Sequence, residues 1–432
     1  MTSATTLKRL TLLPLAGLTL AACSGGGGGG SDEATEDIDL RMTIWTSNED
    51  HLALFDSIAD DYMADHPEIA SITFDPLPFD DYTSTVTTQL AGGSPPDMAW
   101  ILENAAPDFV ASGALMPLSD TLEATEGYDV DDIAESAASL WTQDGELLAY
   151  PFSTSPFVTF VNNDLLAEAG LPSAPQMRSE GDWTWEAVSD AGSTVAQETG
   201  ESGFVIRDFD YLNWDYLSTV WNGWGAEPWT EDGTSCTFDS PEMVEAFDFL
   251  HDAAFDAGSM PGPGSSADFF AGEAAFTVTQ ISRANLLPED GFEWDLLPLP
   301  EGPDGEYAVT GQAGVGVLQS GPNPQASAEF LAYFTNAENG ADLAEYFPPP
   351  RTSLLTLDVM ADANPLLTPE QIEDVVIPGI ADGVVRPSHT DAVQIAQQTR
   401  ASLDDLWTED ADIPAALEQT CGAISPLLGS DT

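Results

Sequence analysis

Apolar and polar residues alternate through Leu40-Arg41-Met42-Thr43-Ile44-Trp45, and this pattern predicts a strand. Ser47 follows as a candidate helix N-cap, with Asp50 three residues on. Phe55, Ile58, Ala59 and Tyr62 then recur at helical spacing, and His66-Pro67 ends the run. A second strand is predicted through Ile72 and Phe74. A second helix is predicted on Tyr82, Val86 and Leu90, ending at Gly92-Gly93, and a third strand over Asp97–Ile101. Strand, helix, strand, helix, strand in this order predicts a parallel sheet with helices on both faces. The texture changes between about Tyr150 and Trp229, where Trp183, Trp185, Trp214, Trp221, Trp224 and Trp229 gather. Beyond it Ser240-Pro241 opens a helix with Met243, Phe247, Leu250 and Ala254 on one face. Strands are expected at Phe276–Thr279, Trp294–Leu299 and Val315–Leu318, then a helix face of Ser327, Phe330, Leu331 and Phe334.

The amino terminus has a different pattern. Lys8 and Arg9 precede an apolar stretch from Leu10 to Leu20, and Leu20-Ala21-Ala22 leads into Cys23. The stretch is short of the roughly 20 apolar residues that span a bilayer. It reads as a secretion signal over 1–22. Small residues before a cysteine resemble a bacterial lipobox, which makes Cys23 the lipidation candidate; an ordinary cleaved signal with an incidental cysteine is the alternative. Residues 23–37 read as a tether, because Gly25–Gly30 and a polar run behave as flexible coil. The glycine run lacks the Lys-Ser/Thr of a phosphate loop.

Charge alters the picture most. The chain has 74 acidic and 9 basic residues, a net charge of −65. Loss of the signal removes Lys8 and Arg9 and leaves cations that are all arginine. Such a surface repels nucleic-acid phosphates, so no nucleic-acid partner is expected. The carboxylates are spread along the chain, which suits adaptation to salt or alkali better than a cation store. Cys236 and Cys421 remain after lipidation. In an exported chain they suggest one disulfide, with two buried free thiols as the alternative. The histidines His51, His66, His251 and His389 lack metal-ligand spacing, so neither metal nor cofactor is expected.

Several segments together resemble a known family. The helix from Tyr82 ends in Ala91-Gly92-Gly93 before Pro96-Asp97, and Gly113-Ala114-Leu115-Met116-Pro117-Leu118 resembles a Gly-x-Leu-x-Pro-Leu turn. Val161–Leu171 after Tyr150-Pro151, Asp182–Glu186, Phe269–Phe276 and Leu297-Pro298-Leu299-Pro300 follow in the family's order. These are motifs of the family 1 extracellular solute-binding proteins, the sugar receptors of ABC importers. The resemblance implies a two-lobed α/β fold like that of periplasmic binding proteins, each lobe a mainly parallel sheet flanked by helices, with a hinge and an interlobe cleft. It places residues 38–152 and 301–350 in the first lobe and 153–300 and 351–432 in the second. Crossings are expected near Tyr150–Ser155, Leu297–Glu301 and Pro348–Arg351. It implies an exported, monomeric, lipid-anchored receptor whose partners are a sugar and the permease subunits of an importer, and no catalysis.

A sugar offers hydroxyls at its rim and weakly apolar faces, so its site needs amides, acids, guanidinium groups and rings. The loop after the first strand supplies Trp45, Ser47, Asn48 and Glu49, and the loop after the third supplies Trp100, Glu103 and Asn104. In the second lobe the candidates are Asp210, Tyr211 and Trp214. Gln280 and Arg283 occupy a stretch where relatives place a stacking Trp that this chain lacks, and Trp221 or Trp224 are candidates to replace it. Gln312 sits in a Gly-rich loop. Arg351 and Arg386 stand out because arginine is scarce here. Two rival readings remain: an extracellular glycosidase, which would need two positioned carboxylates, and a receptor for a polyamine, peptide or metal chelate.

Overall fold

The computed structural model describes residues 37–207, 209, 211, 213–287 and 291–429. The signal, Cys23 and the tether up to residue 36 lie outside the described residues, as does Asp210.

Strand β1 (Ile38–Ile44) pairs in parallel with β2 (Ile69–Pro76) on one side and β3 (Met98–Leu102) on the other. Helix α1 (Glu49–Asp65) links β1 to β2 and buries Phe55, Ile58, Ala59 and Tyr62. Its cap is Asn48, one residue later than the expected Ser47: the Asn48 side chain accepts from the Asp50 N–H at 2.8 Å. Asparagine caps as well as serine does. Helix α2 (Tyr82–Ala91) links β2 to β3.

After a small hairpin of β4 (Thr142–Gln143) and β5 (Glu146–Leu147), the chain enters β6 (Ala149–Asn162), fourteen residues long. Its second half pairs antiparallel with β8 (Ala274–Gln280) and with β9 (Trp294–Leu297), and β7 (Ser202–Ile206) adds to β8 in parallel. Strand β10 (Val309–Val317) runs antiparallel between β3 and β6, and β11 (Val384–Val385) adds in parallel at Val309–Thr310. The result is one nine-stranded sheet in the order β2-β1-β3-β10-β6-β8-β7, with β9 and β11 branching from it. Parallel pairs survive at the edges, but the long middle strands are antiparallel to their neighbours. The sheet is therefore mixed, not mainly parallel.

This sheet serves two lobes. One core holds Leu40, Phe55, Trp100 and Phe334. The other lobe is packed from two clusters, one around Trp185, Phe204, Phe247 and Leu417, the other around Phe160, Phe269 and Ile372. Along β6, Phe152 belongs to the first lobe and Phe157 to the second, so the strand carries the chain across. Along β10, Val309 belongs to the second and Ala313 to the first. This return crossing was expected near Leu297–Glu301. Leu297 and Leu299 instead stay in the second core, because β9 pairs with the far end of β6 and the Glu301 N–H donates to the Trp183 carbonyl at 2.9 Å. The third crossing falls between Phe347, packed on the first core, and Leu355, packed on the second. A disulfide joins Cys236 to Cys421 in the helix Ile413–Leu428, clasping the carboxyl-terminal segment to the second lobe.

Candidate ligand-binding cleft

The carboxyl end of β3 and the crossing stretches of β6 and β10 floor a groove between the lobes. The carboxyl end of β3 delivers Glu103 there, as the geometry of parallel strands directs. Glu103 is buried, and one of its carboxylate oxygens accepts from the Gln312 N–H at 2.9 Å. The other is ion-paired with Arg386, whose Nη1 also donates to Asp215 at 2.7 Å. Asp215 belongs to the helical turn Trp214–Leu217 of the second lobe. The guanidinium sits 4.1 Å from the Tyr216 ring centroid and 5.7 Å from that of Phe157. Burial alone would lower the Arg386 pKa, but Glu103 and Asp215 outweigh it and hold it above the ordinary value. One buried cation therefore bridges carboxylates from opposite lobes.

This bar divides the groove. On one side lies a polar chamber of about 490 Å3, with Glu103 and Arg386 in its wall together with Ser153, Gln280, Asn285 and Asn364. Trp45, Phe79, Tyr216 and Phe347 supply its rings. Gln312 also lines it: its Oε1 accepts from Trp141 Nε1 at 3.1 Å, and its Nε2 has no partner among the described residues. On the other side lies a larger, mainly apolar chamber of about 710 Å3, walled by Leu90, Phe109, Trp214, Trp229 and Val393, with Asn104 and Asp215 at its polar end. Phe79 and Leu102 line both chambers, so the two adjoin.

Of the candidate residues, Trp45, Glu103, Gln312 and Arg386 meet in the polar chamber, and Asn104 and Trp214 in the apolar one. Others sit elsewhere. Ser47, Asn48 and Glu49 are exposed at the start of α1 and line neither chamber. Trp100 faces inward from β3 and packs against Trp45, Phe55, Phe152 and Phe347. Trp224 packs on Phe249, and Trp221 is fully buried between Trp214 and Phe247. Tyr211 and Arg283 line a separate cavity of about 310 Å3 in the second lobe, Arg283 lying 5.4 Å from the Phe270 ring centroid.

Arg351 is a structural clasp. It donates to the Thr335 and Asp129 carbonyls at 3.1 and 2.9 Å, pairs with Asp132 at 3.2 Å and covers the Tyr128 ring. It was a ligand-binding candidate on the scarcity of arginine, and it lines neither chamber. The same signal would have found Arg207, which lines the polar chamber and bonds Gln280. Tyr216, Phe79, Phe347 and Trp229 were missed, because nothing in the local pattern separates a cleft ring from a core ring.

A hinged pair of α/β lobes with an aromatic and polar groove across crossing strands defines a two-lobed ligand receptor. Comparison with known sequences agrees. The profile of the bacterial extracellular solute-binding proteins matches residues 57–369, and the chain belongs to that family. A relative from Halalkalibacterium halodurans, an arabinooligosaccharide-binding protein, is 24% identical over 343 residues, covering 75% of this chain and 74% of that one. A periplasmic sn-glycerol-3-phosphate-binding protein from Pectobacterium atrosepticum is 24% identical over 331 residues, 70% of each chain. Among solved structures, an ABC substrate-binding protein from Listeria monocytogenes in complex with cycloalternan superposes with a TM-score of 0.77 at 21% identity, covering 91% of this chain and 99% of that one.

Proposed function

We propose that this protein captures a neutral sugar in the interlobe groove and delivers it to the permease of an ABC importer. The observation that carries this reading is the composition of the groove. Hydroxyl, amide and guanidinium groups line one part and aromatic faces line both, which is what a sugar's rim and faces require. Sequence relatives and fold neighbours that bind oligosaccharides support the same reading. Closure about the crossing strands would bury the ligand between the lobes, driven by its greater affinity for the closed state. The chain acts as a monomer, exported and held to the outer face of the membrane through a lipid on Cys23.

The related glycerol-phosphate receptor makes a phosphorylated ligand the reading to weigh against this one. Arg386 argues for the neutral ligand, since two carboxylates already balance its charge. Against a polyamine stands Arg207, which places a guanidinium in the polar chamber apart from the Glu103–Arg386–Asp215 trio. Catalysis by a carboxylate pair is disfavoured because Glu103 and Asp215 are both committed to Arg386.

A thermal-shift screen at high salt tests the reading, with neutral saccharides, sn-glycerol-3-phosphate, polyamines and peptides as ligands. A ligand present at 100 times its dissociation constant adds about 2.7 kcal/mol of stability. Stabilisation by saccharides alone is the expected outcome. Stabilisation by the phosphate ester or a polyamine, with none from any saccharide, would replace the sugar with that class.

A further inference from the structure

The two chambers differ in what their buried walls offer. The buried wall of the polar chamber includes Glu103, Ser155, Gln312 and Arg386, and Gln312 Nε2 has no partner among the described residues. In the apolar chamber the buried wall residues are Ala105, Phe109, Trp214 and Ile395, all apolar. Most of the polar side chains around it are already engaged within the protein. Asp215 holds Arg386, and Asp108 accepts from the Asp391 N–H at 3.0 Å. Thr87 and Ser112 donate to the Thr83 and Phe109 carbonyls, each at 2.8 Å. The two ring nitrogens of His389 lie 3.0 and 2.7 Å from the carbonyl oxygens of Gly233 and Thr390. A sugar ring carries hydroxyls round its rim, and burying them without partners is unfavourable. This chamber is built for a group that has none.

The surface supplies a second, independent observation. Phe79, 54% exposed, and Val393, 77% exposed, stand at the rim of this chamber and are two of the five large apolar side chains exposed among the described residues. Apolar side chains gathered at a cleft mark a surface that a ligand covers. What covers them is continuous with the polar chamber. The described side chains that line both chambers are Phe79 and Leu102, so a group passing from one to the other runs along an apolar edge. The apolar chamber, about 710 Å3, is the larger of the two and lies within the roughly 300–1,000 Å3 typical of ligand pockets.

We infer that the ligand is a glycoside with an apolar aglycone: its sugar sits in the polar chamber, and an alkyl or aryl group attached to that sugar fills the apolar one. This rests on the sugar reading above and sharpens it to a substrate class. The Glu103–Arg386–Asp215 bar stands where the two parts join, since Glu103 lines one chamber and Asp215 the other. The sugar gives orientation through its hydroxyls. The aglycone gives affinity through area, about fourfold for each methylene that it buries. A free sugar leaves Phe79 and Val393 in water.

The test is calorimetric titration of the purified protein with methyl, butyl, hexyl and phenyl glycosides of glucose, galactose, xylose and arabinose in both anomers, beside the free mono- and oligosaccharides. For the sugar that binds, affinity is expected to climb at least about tenfold from the methyl to the hexyl glycoside. A phenyl glycoside tighter than the hexyl assigns an aryl aglycone, and the reverse an alkyl one. Val393→Asp, at an exposed position, and Trp229→Ala each lower the hexyl-to-methyl affinity ratio by at least about threefold. The ratio is the readout because a general loss of folding weakens both members alike. A hexyl glycoside no tighter than the methyl one, a ratio that neither variant lowers, or binding of free saccharides with none from any glycoside overturns the aglycone inference and leaves sugar capture standing. So does a concentration-dependent dimer that Val393→Asp abolishes, because a second copy would then cover the chamber. Silence from every glycoside and every free saccharide, from a protein that melts cooperatively, overturns sugar capture and this inference together.

Discussion

Arg386 holds carboxylates from two lobes at once, and both acids are largely shielded from water: the Glu103 side chain is 5% exposed and that of Asp215 21%. Removing one partner of such a buried network leaves uncompensated charge and typically costs about 3–5 kcal/mol. Arg386→Gln is therefore expected to lower stability by that order in urea denaturation, with Asp215 and Glu103 left facing each other. A loss below about 1 kcal/mol would mean that water already screens the trio. Asp132 makes a prediction in pH. Burial raises its pKa, but hydrogen bonds from Ser353, Thr352 and Arg351 outweigh this and hold it below the ordinary value. A carboxyl depressed in the folded state contributes stability above its unfolded pKa of about 3.9, and that contribution is lost as pH falls through the folded value. Asp132→Asn should thus be less stable than the parent at pH 7, and the gap should narrow below about pH 4. A gap independent of pH would assign the loss to packing instead.

Legibility at this scale was uneven. Residues set by a chain-wide imbalance could be read: in so acidic a sequence, Arg351 and Arg386 were visibly special, and both proved to be buried ion-pair centres. Whether such a centre faces the groove depends on contacts with residues more than a hundred positions away, and no local pattern records those. The aromatic residues show the same limit. Trp100 lies within β3 and Trp45 just past the end of β1, and the two rings touch, yet one is core and the other reaches the groove.

At the scale of elements, the local pattern predicted β1, α1, α2 and β3 within a residue or two and marked β2 by Ile72 and Phe74, which lie inside it; α1 buries one face, whereas β3 is buried along nearly its whole length. The same pattern missed the extent of β6 and β10. These strands cross from lobe to lobe and are buried on both faces, so polar residues such as Ser153, Thr154, Ser155 and Gln312 interrupt their apolar or glycine-rich runs without a regular alternation. Gly314 explains the glycines of β10: a Cβ there would come within 2.6 Å of the Trp141 ring. The disulfide is a prediction at this scale. It closes a loop of 185 residues, and the constraint it places on the unfolded chain is worth about 2–4 kcal/mol. Replacing both Cys236 and Cys421 with serine should lower Tm measurably without changing ligand affinity, since the bridge lies outside both chambers. An affinity loss with unchanged Tm would contradict this.

At the scale of the molecule, a net charge of −65 acts on every conformation. Self-repulsion disfavours compact states, and raising salt from 0.1 M to 1 M shortens the screening length from about 10 Å to about 3 Å. Stability is expected to rise steadily over that range in thermal melts, and a flat or falling profile would remove the adaptive reading of the acidic surface. Fold class was the most legible property of the sequence, because ordered motifs spread over most of the chain agreed with one another. Sheet direction was less so, since parallel and antiparallel pairing of the crossing strands is settled only when both lobes are assembled.

Capture of a sugar in the groove is the central claim, and tryptophan fluorescence tests it most directly. Trp45, Trp214 and Trp229 line the two chambers, whereas Trp100, Trp141, Trp185 and Trp221 are fully buried. Titration with neutral oligosaccharides should give a saturable change with one-site stoichiometry, and Trp229→Ala should reduce its amplitude. No change with any saccharide, alongside a saturable response to sn-glycerol-3-phosphate or a polyamine, would contradict it.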